Sequence, residues 1–471
     1  MEILKITSRN ILLTILTVYA TSCTKFVKIG EPTNTITATE TFSTDDNATS
    51  AITGIYSNMS DGSNFLTFSN GALTPFVGSY ADELTGVSYL TYNTYNNSKL
   101  LPADYFVNAF FWTPAYYDIY SANAVIEGLK NSTTISHATK DQLTGEAKFI
   151  RAFCHFYLVN LFGDVPLDTT TSYTTNSLLS RTPSASVYNQ IIADLVSAQQ
   201  ILASDYSLFH SQRIRATKWA ATALLARVYL YTGNWASADS AATAVINCGL
   251  YSLEPSLDTV FLANSAESIL QLQPSVAIYP YATQEANLFV PYDTTSYASF
   301  NLTPQLLAAF EPNDQRRVHW VDSTDYGGAY YQFPNKYKVR VGNQAAVTEY
   351  YTLLRLAEQY LIRAEADANG AGSGPVGAIQ DLNTIRSRAM LPPLTISPVK
   401  GQVLAAVQQE RRIELFAEMG HRWFDLKRTG SADSVMAAVK PTYWTSSDQL
   451  LWPLPSTEIA LDPNLKQNPG Y

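Results

Sequence analysis

The sequence predicts a mainly α-helical fold: a tetratricopeptide-like helical scaffold interrupted by long irregular loop regions and a few short strands. Three observations predict it. Apolar residues recur at spacings of three and four through several long segments, as one face of an α-helix requires. Two of these segments, 217–248 and 353–389, are helix pairs with small residues where paired helices touch. Between the helices lie two stretches, 61–102 and 265–345, rich in Tyr, Asn, Gly, Pro and Thr.

The chain opens on a leader. Lys5 and Arg9 precede the apolar run Ile11–Ala20, too short for the ~20 residues that span a bilayer but suited to a signal peptide. Ala20, Thr21 and Ser22 then lead into Cys23, an arrangement that resembles the lipobox of bacterial lipoproteins, in which the cysteine thiol is lipidated. Residues 1–22 are thus expected to be a lipoprotein signal peptide and 23–47 a polar, Thr-rich tether. No other stretch reaches 18 apolar residues.

Helical periodicity appears at about 48–60 and 103–130. It is clearest from Lys140 to Phe162, where residues 143, 147, 150, 154, 158 and 161 are apolar. Gly163-Asp164-Val165-Pro166 ends that helix. The next follows Pro183 and carries Val187, Ile191, Leu195 and Ala198 on one face. In 217–248, Leu225, Ala226, Tyr229, Gly233, Ala238 and Ala242 fall at tetratricopeptide spacing, with Tyr229 filling the groove between close helices. In 353–389, Ala364 and Ala366 precede a Gly-rich turn, then Ala378, Leu382 and Ile385. The irregular regions hold strand-like pieces such as Ser268–Leu272. Both are too long for plain connections, and loops of that length usually carry function.

Composition narrows the chemistry. With 471 residues, two to four domains or one large helical body are expected. A hydrophobic content of 46% supplies a sizeable core. A net charge of −9 argues against a basic nucleic-acid surface. Charged residues are only 15%, below the usual quarter, while tyrosine reaches 30; such a surface suits neutral, hydroxyl-rich ligands. Neither Cys154 nor Cys248 sits at a metal-type spacing, and Cys154 reads as a buried thiol; a disulfide between them is left open.

Enzyme signatures are weak. Gly372, Gly374 and Gly377 form a literal G-x-G-x-x-G, but a helix precedes them where a dinucleotide site needs a strand, so they read as an inter-helix turn and no cofactor is expected. The five histidines show no metal spacing. Glu418, His421 and Asp425 can meet on one helical turn, but the charges from Glu410 to Asp425 sit at offsets that suit ion pairs along a helix. A glycosidase needs two carboxylates about 5–10 Å apart; the nearest candidates, Asp82 and Glu83, are adjacent and point apart on an extended chain. No catalytic or metal residue is assigned.

Sugar binding asks for flat aromatic faces ringed by amides and carboxylates. The first irregular region offers Tyr80, Asp82, Tyr89, Tyr92, Tyr95, Asn96 and Asn97. The second offers Tyr279, Tyr281, Tyr292, Trp320, Tyr326 and Tyr330. The favoured ligand contacts are Asp82, Tyr89, Tyr92, Tyr95, Asn96, Tyr281, Trp320 and Tyr326. Trp320 has the largest stacking face.

Five segments together resemble the SusD/RagB family of outer-membrane nutrient-binding lipoproteins. They are Gly145–Phe153 running into Leu158–Pro166, the pair at 217–248, Leu353–Ala366, Glu410–Glu418 with Arg422–Arg428, and Trp452–Pro455 to Gln467–Tyr471. The resemblance implies one SusD-like nutrient-binding domain over 48–471, with 61–102 and 265–345 as its ligand-binding regions. It also implies a SusC-type TonB-dependent outer-membrane transporter as partner, a glycan ligand, and a lipid anchor in the cell outer membrane facing the exterior. No nucleic acid and no cofactor belong to that picture. The rival readings are a peptide-binding member of the same scaffold, a surface glycoside hydrolase and a plain protein-interaction solenoid.

Overall fold

The computed structural model describes residues 37–61, 66–87, 89, 91–293 and 296–471; Cys23 and the leader lie outside the described residues. The main helices are α1 (Asp45–Asp61), α2 (Thr113–Asn131), α3 (His137–Phe162), α4 (Ser184–Ile201), α5 (Lys218–Tyr231), α6 (Trp235–Ile246), α7 (Leu356–Ala368), α8 (Gly374–Arg388), α9 (Lys400–Glu414) and α10 (His421–Arg428). From α2 to α8 each packs on the next, and α9 packs on α7 and α8. That succession is the tetratricopeptide-like scaffold.

Local chemistry sets the helix ends. Ser136 caps α3 by accepting the Thr139 amide, and Gly163 ends it at φ +75°, a conformation that favours glycine. The periodicity at 103–130 divides in two: a π-helical stretch, Val107–Trp112, precedes α2, whose first turn holds Pro114. Between α5 and α6, Ala226, Ala238 and Ala242 are fully buried against Ile362 and Ala366 of α7, with Tyr229 packed on them. Between α7 and α8, Ala364, Ala378, Leu382 and Ile385 share one core. Gly372 lies in the turn, Gly374 opens α8 and Gly377 follows in its first turn, after a helix as expected.

Three antiparallel strand pairs complete the fold. β1 (Leu84–Gly86) pairs with β3 (Phe300–Leu302), β2 (Ser268–Leu272) with β6 (Tyr351–Arg355), and β4 (Val321–Tyr326) with β5 (Ala329–Pro334).

Two expectations need correction. Residues 67–84, inside the first irregular region, are buried throughout. Phe76 sits there among Tyr92, Tyr95, Phe106, Phe110, Phe111 and Phe300, with ring centres 4.8–6.1 Å away. The segment lacks a period of two or 3.6 because it is covered on every side. The charges of 410–425, in turn, pair mainly across elements, with Asp425–Arg428 an ion pair along α10. Arg316 meets Glu410 and Glu414, Arg355 meets Glu267, Glu414 and Glu418, and Arg411 meets Asp425. Most of these groups are buried, where charges persist only when paired. Cys154 is buried, and both it and Cys248 are free thiols.

Candidate functional site

The two irregular regions meet at the β1–β3 ladder. Leu84, Thr85 and Gly86 pair with Leu302, Asn301 and Phe300, and the Val87 amide continues the ladder by donating to Ser299 O at 2.9 Å. Asn96 clamps the end: its Oδ1 accepts from the Gly86 amide (2.9 Å) and its Nδ2 donates to Gly86 O (2.7 Å). A Cβ on residue 86 would come within 2.8 Å of Tyr92 and 2.9 Å of Phe300, so only glycine lets these rings close over the ladder. Tyr92 packs tilted on Phe300 with ring centres 4.6 Å apart and meets Tyr89 edge-on at 5.4 Å. Tyr89 is 65% exposed.

Tyr297, just before β3, receives the tip of the β4–β5 hairpin. Its ring lies 5.1 Å from Tyr326 and 6.2 Å from Tyr331, and Thr324 Oγ1 donates to Ser296 O at 3.0 Å. Strand alternation explains the arrangement. Thr324, Tyr326 and Tyr331 share one face of the hairpin, while Asp325 and the exposed Tyr330 share the other. Nearby in sequence, Tyr279 meets Tyr281 edge-on at 6.1 Å, and Arg340 lies 5.7 Å over exposed Tyr292. The exposed tyrosines 89, 279, 292, 326 and 330 thus come from these two regions. Beside the ladder, a groove of about 290 Å³ is lined by Asp82, Thr85, Asn96, Thr303, Gln305 and Tyr443, among others.

Several candidates chosen from sequence are interior. Trp320 is 0% exposed; its Nε1 donates to Leu257 O at 2.9 Å and the Lys336 ammonium lies 4.5 Å over its ring. It therefore presents no stacking face. Tyr80 and Tyr95 are buried, their hydroxyls donating to Gln449 O and Asp104 Oδ1, and Tyr92 is almost covered. Tyr281 is half-buried. Asp82 accepts from Arg422 at 2.7 and 2.8 Å and from Arg412 at 3.1 Å. Burial pushes its carboxyl up, but the arginines outweigh it and hold the carboxyl below its usual range. Its neighbour Glu83 is fully buried, and burial with the adjacent Asp82 pushes it up to about 8. The two acids face a salt bridge and the core. Tyr297 and Tyr331 join the site through contacts between separate segments, which sequence spacing does not show.

Residues 33–230 match the family model described as starch-binding and associating with the outer membrane, and residues 321–471 match the model of the SusD family. The chain belongs to the SusD/RagB family. Two SusD-like proteins of Formosa agariphila are 27% and 29% identical to it, covering 76% and 77% of this chain and 79% and 80% of their own. A SusD superfamily protein of Parabacteroides distasonis superposes with a TM-score of 0.77 at 23% identity, covering 90% of this chain and 99% of that one. A solved laminarin-binding SusD-like protein gives 0.75 at 24% identity, with the same coverage. These two likenesses are of fold. The segments that carried the SusD/RagB resemblance also meet in space: Asn468 Nδ2 donates to Phe162 O and to Trp452 O, joining the tail to the end of α3. Among the described residues, no helix of this SusD/RagB chain is long and apolar enough to cross a membrane.

Proposed function

We propose that this chain is a cell-surface glycan-binding lipoprotein that holds oligosaccharides against the tyrosines around β1–β3 and the β4–β5 hairpin. On this reading it passes them to a SusC-type TonB-dependent transporter and performs no chemistry on them. The observation that carries the reading is the set of exposed tyrosines rooted in one ladder and one hairpin, with rings offered to solvent and amides and hydroxyls beside them. Such rings stack on the C–H faces of pyranoses while the polar groups take the hydroxyls. A relative of the same fold is named for binding laminarin, which makes a β-glucan a sensible first ligand to try. Asp82 and Glu83, the acids just before the ladder, are held in a salt bridge and in the core, so neither is a free carboxylate facing a bound glycan.

The test is calorimetric titration with a panel of soluble glycans, laminarin included. Each of Tyr89→Ala, Tyr297→Ala and Tyr326→Ala should weaken the best ligand about threefold or more, from the ~0.5–1.5 kcal/mol of a stacked ring. Tyr173→Ala, at an exposed position in another segment, should change nothing. Unaltered affinity in all three site variants would place the site elsewhere. Co-purification with a barrel transporter under mild detergent tests the delivery step.

A further inference from the structure

A large cleft lies away from these tyrosines. It opens between the end of α3, the start of α4 and the last turn of α10, and holds about 520 Å³, within the ~300–1,000 Å³ usual for small-molecule sites. We infer that this cleft is a second binding site, one that takes a small monoanionic carboxylate.

The charges lining the cleft carry the argument. Lys427 projects from α10, and its ammonium makes one hydrogen bond, to the backbone carbonyl of Asn160. No carboxylate pairs with it among the described residues, and burial alone lowers it to about 7. Among the described residues Arg181 makes no direct ion pair, and the Asp164 carboxylate acts on it only through space. Its guanidinium donates to the carbonyls of Asp164, Phe162 and Lys466 and to Asn468 Oδ1, all uncharged acceptors. Arg428, by contrast, is clamped by Glu365 and Asp425. The one acid in the lining, Asp164, turns its Oδ1 to the Ser184 amide and hydroxyl at 2.7 Å each.

With Asp164 set against Arg181 and Arg428 held by two acids, the charge left over in the lining is that of Lys427, which also has spare donors. A half-buried cation without a counter-charge is costly, and an incoming anion offsets that cost. Only one ammonium has open donors, because the Arg181 fork is already occupied, and Asp164 repels a second negative charge. A single carboxylate satisfies both limits, whereas a dianion does not. Tyr188, whose hydroxyl donates to Asn160 Oδ1 at 3.1 Å, and the Asn160 side chain give polar partners for the rest of the ligand. An acidic monosaccharide and the C-terminal end of a short peptide both carry this chemistry.

The experiment is titration of the full chain in detergent with glucuronate, N-acetylglycine and glucose. At least one of the two acids should bind at a single site while glucose does not, and the acid that binds names the source. Lys427→Met should weaken that binding about tenfold or more, and Lys427→Arg should keep it within about threefold. Ser184→Glu is the second variant. It replaces the hydroxyl that donates to Asp164 with a second acid in the lining, and should weaken binding in the same direction. All three variants should leave glycan affinity at the tyrosine surface unchanged, so this site and the proposed glycan site stand or fall separately. The inference is overturned if neither acid binds up to about 10 mM, a free energy of only ~3 kcal/mol. It is equally overturned if glucose binds as well as the acids, or if the folded Lys427→Met and Ser184→Glu variants bind as wild type does.

Discussion

Arg422 grips Asp82 with two parallel hydrogen bonds, Nε to Oδ1 at 2.7 Å and Nη2 to Oδ2 at 2.8 Å, across 340 residues of sequence. The pair ties the ladder end of the irregular half to α10. Asp82 thus serves as a structural tie, a role different from the ligand contact its position in sequence suggests.

Asp82→Ala should destabilise the protein by about 3–5 kcal/mol, because it strands the Arg422 and Arg412 charges in a buried place. Glycan affinity, measured well below the melting temperature, should stay within about twofold of wild type. A melting temperature unchanged from wild type would contradict this assignment.

Trp320→Ala should act the same way for a different reason. Removing a fully buried indole leaves a cavity beneath Lys336 and costs about 3–5 kcal/mol. Denaturant unfolding should show the midpoint falling. A stable variant that had lost only its glycan affinity would contradict the placement.

Glu285 supplies a pH dependence. It is fully buried, accepts from Tyr351 OH at 2.9 Å, and burial pushes its carboxyl from 4.5 up to about 8. A raised folded-state pKa gives stability that is complete below pH 4.5 and lost as pH rises through 8. Glu285→Gln copies the protonated form without that loss. The variant should match wild type near pH 5 and exceed it in unfolding free energy at pH 9, by up to about 2–4 kcal/mol. Parallel stability curves for the two proteins would count against it.

Lipidation at Cys23 predicts membrane retention. Each buried methylene contributes about 0.8 kcal/mol, so two or three acyl chains anchor firmly. Cys23→Ala should appear in the soluble fraction or remain an unprocessed precursor. Unchanged retention and processing would remove the anchor from the proposal.

Much of the scaffold was legible because helices announce themselves locally. Ala226, Ala238 and Ala242 are small in the sequence for the same reason that they are buried in the fold: two helices touch there. Exposure in the irregular regions was not legible, since it depends on partners far away in the chain. Gly86 meets Phe300 only after folding, and that pairing covers Tyr92 while leaving Tyr89 outside. Trp320 reads as a loop aromatic among polar neighbours, yet Leu257, Lys336 and Phe416 enclose it. The charges of 410–425 show the same limit. Their i, i+4 spacing was real, but α9 lies against α7 and α8, and their main partners come from elsewhere.

The ion pairs around Glu410, Glu414 and Glu418 bear on how the molecule comes apart. The arginines that meet them are Arg316 just before β4, Arg355 at the end of β6, and Arg386 and Arg388 at the end of α8. No one of these segments can leave without abandoning an opposite charge inside the protein. Partial opening is therefore disfavoured, and helical scaffold and irregular half should melt in a single transition, with calorimetric and van't Hoff enthalpies in agreement.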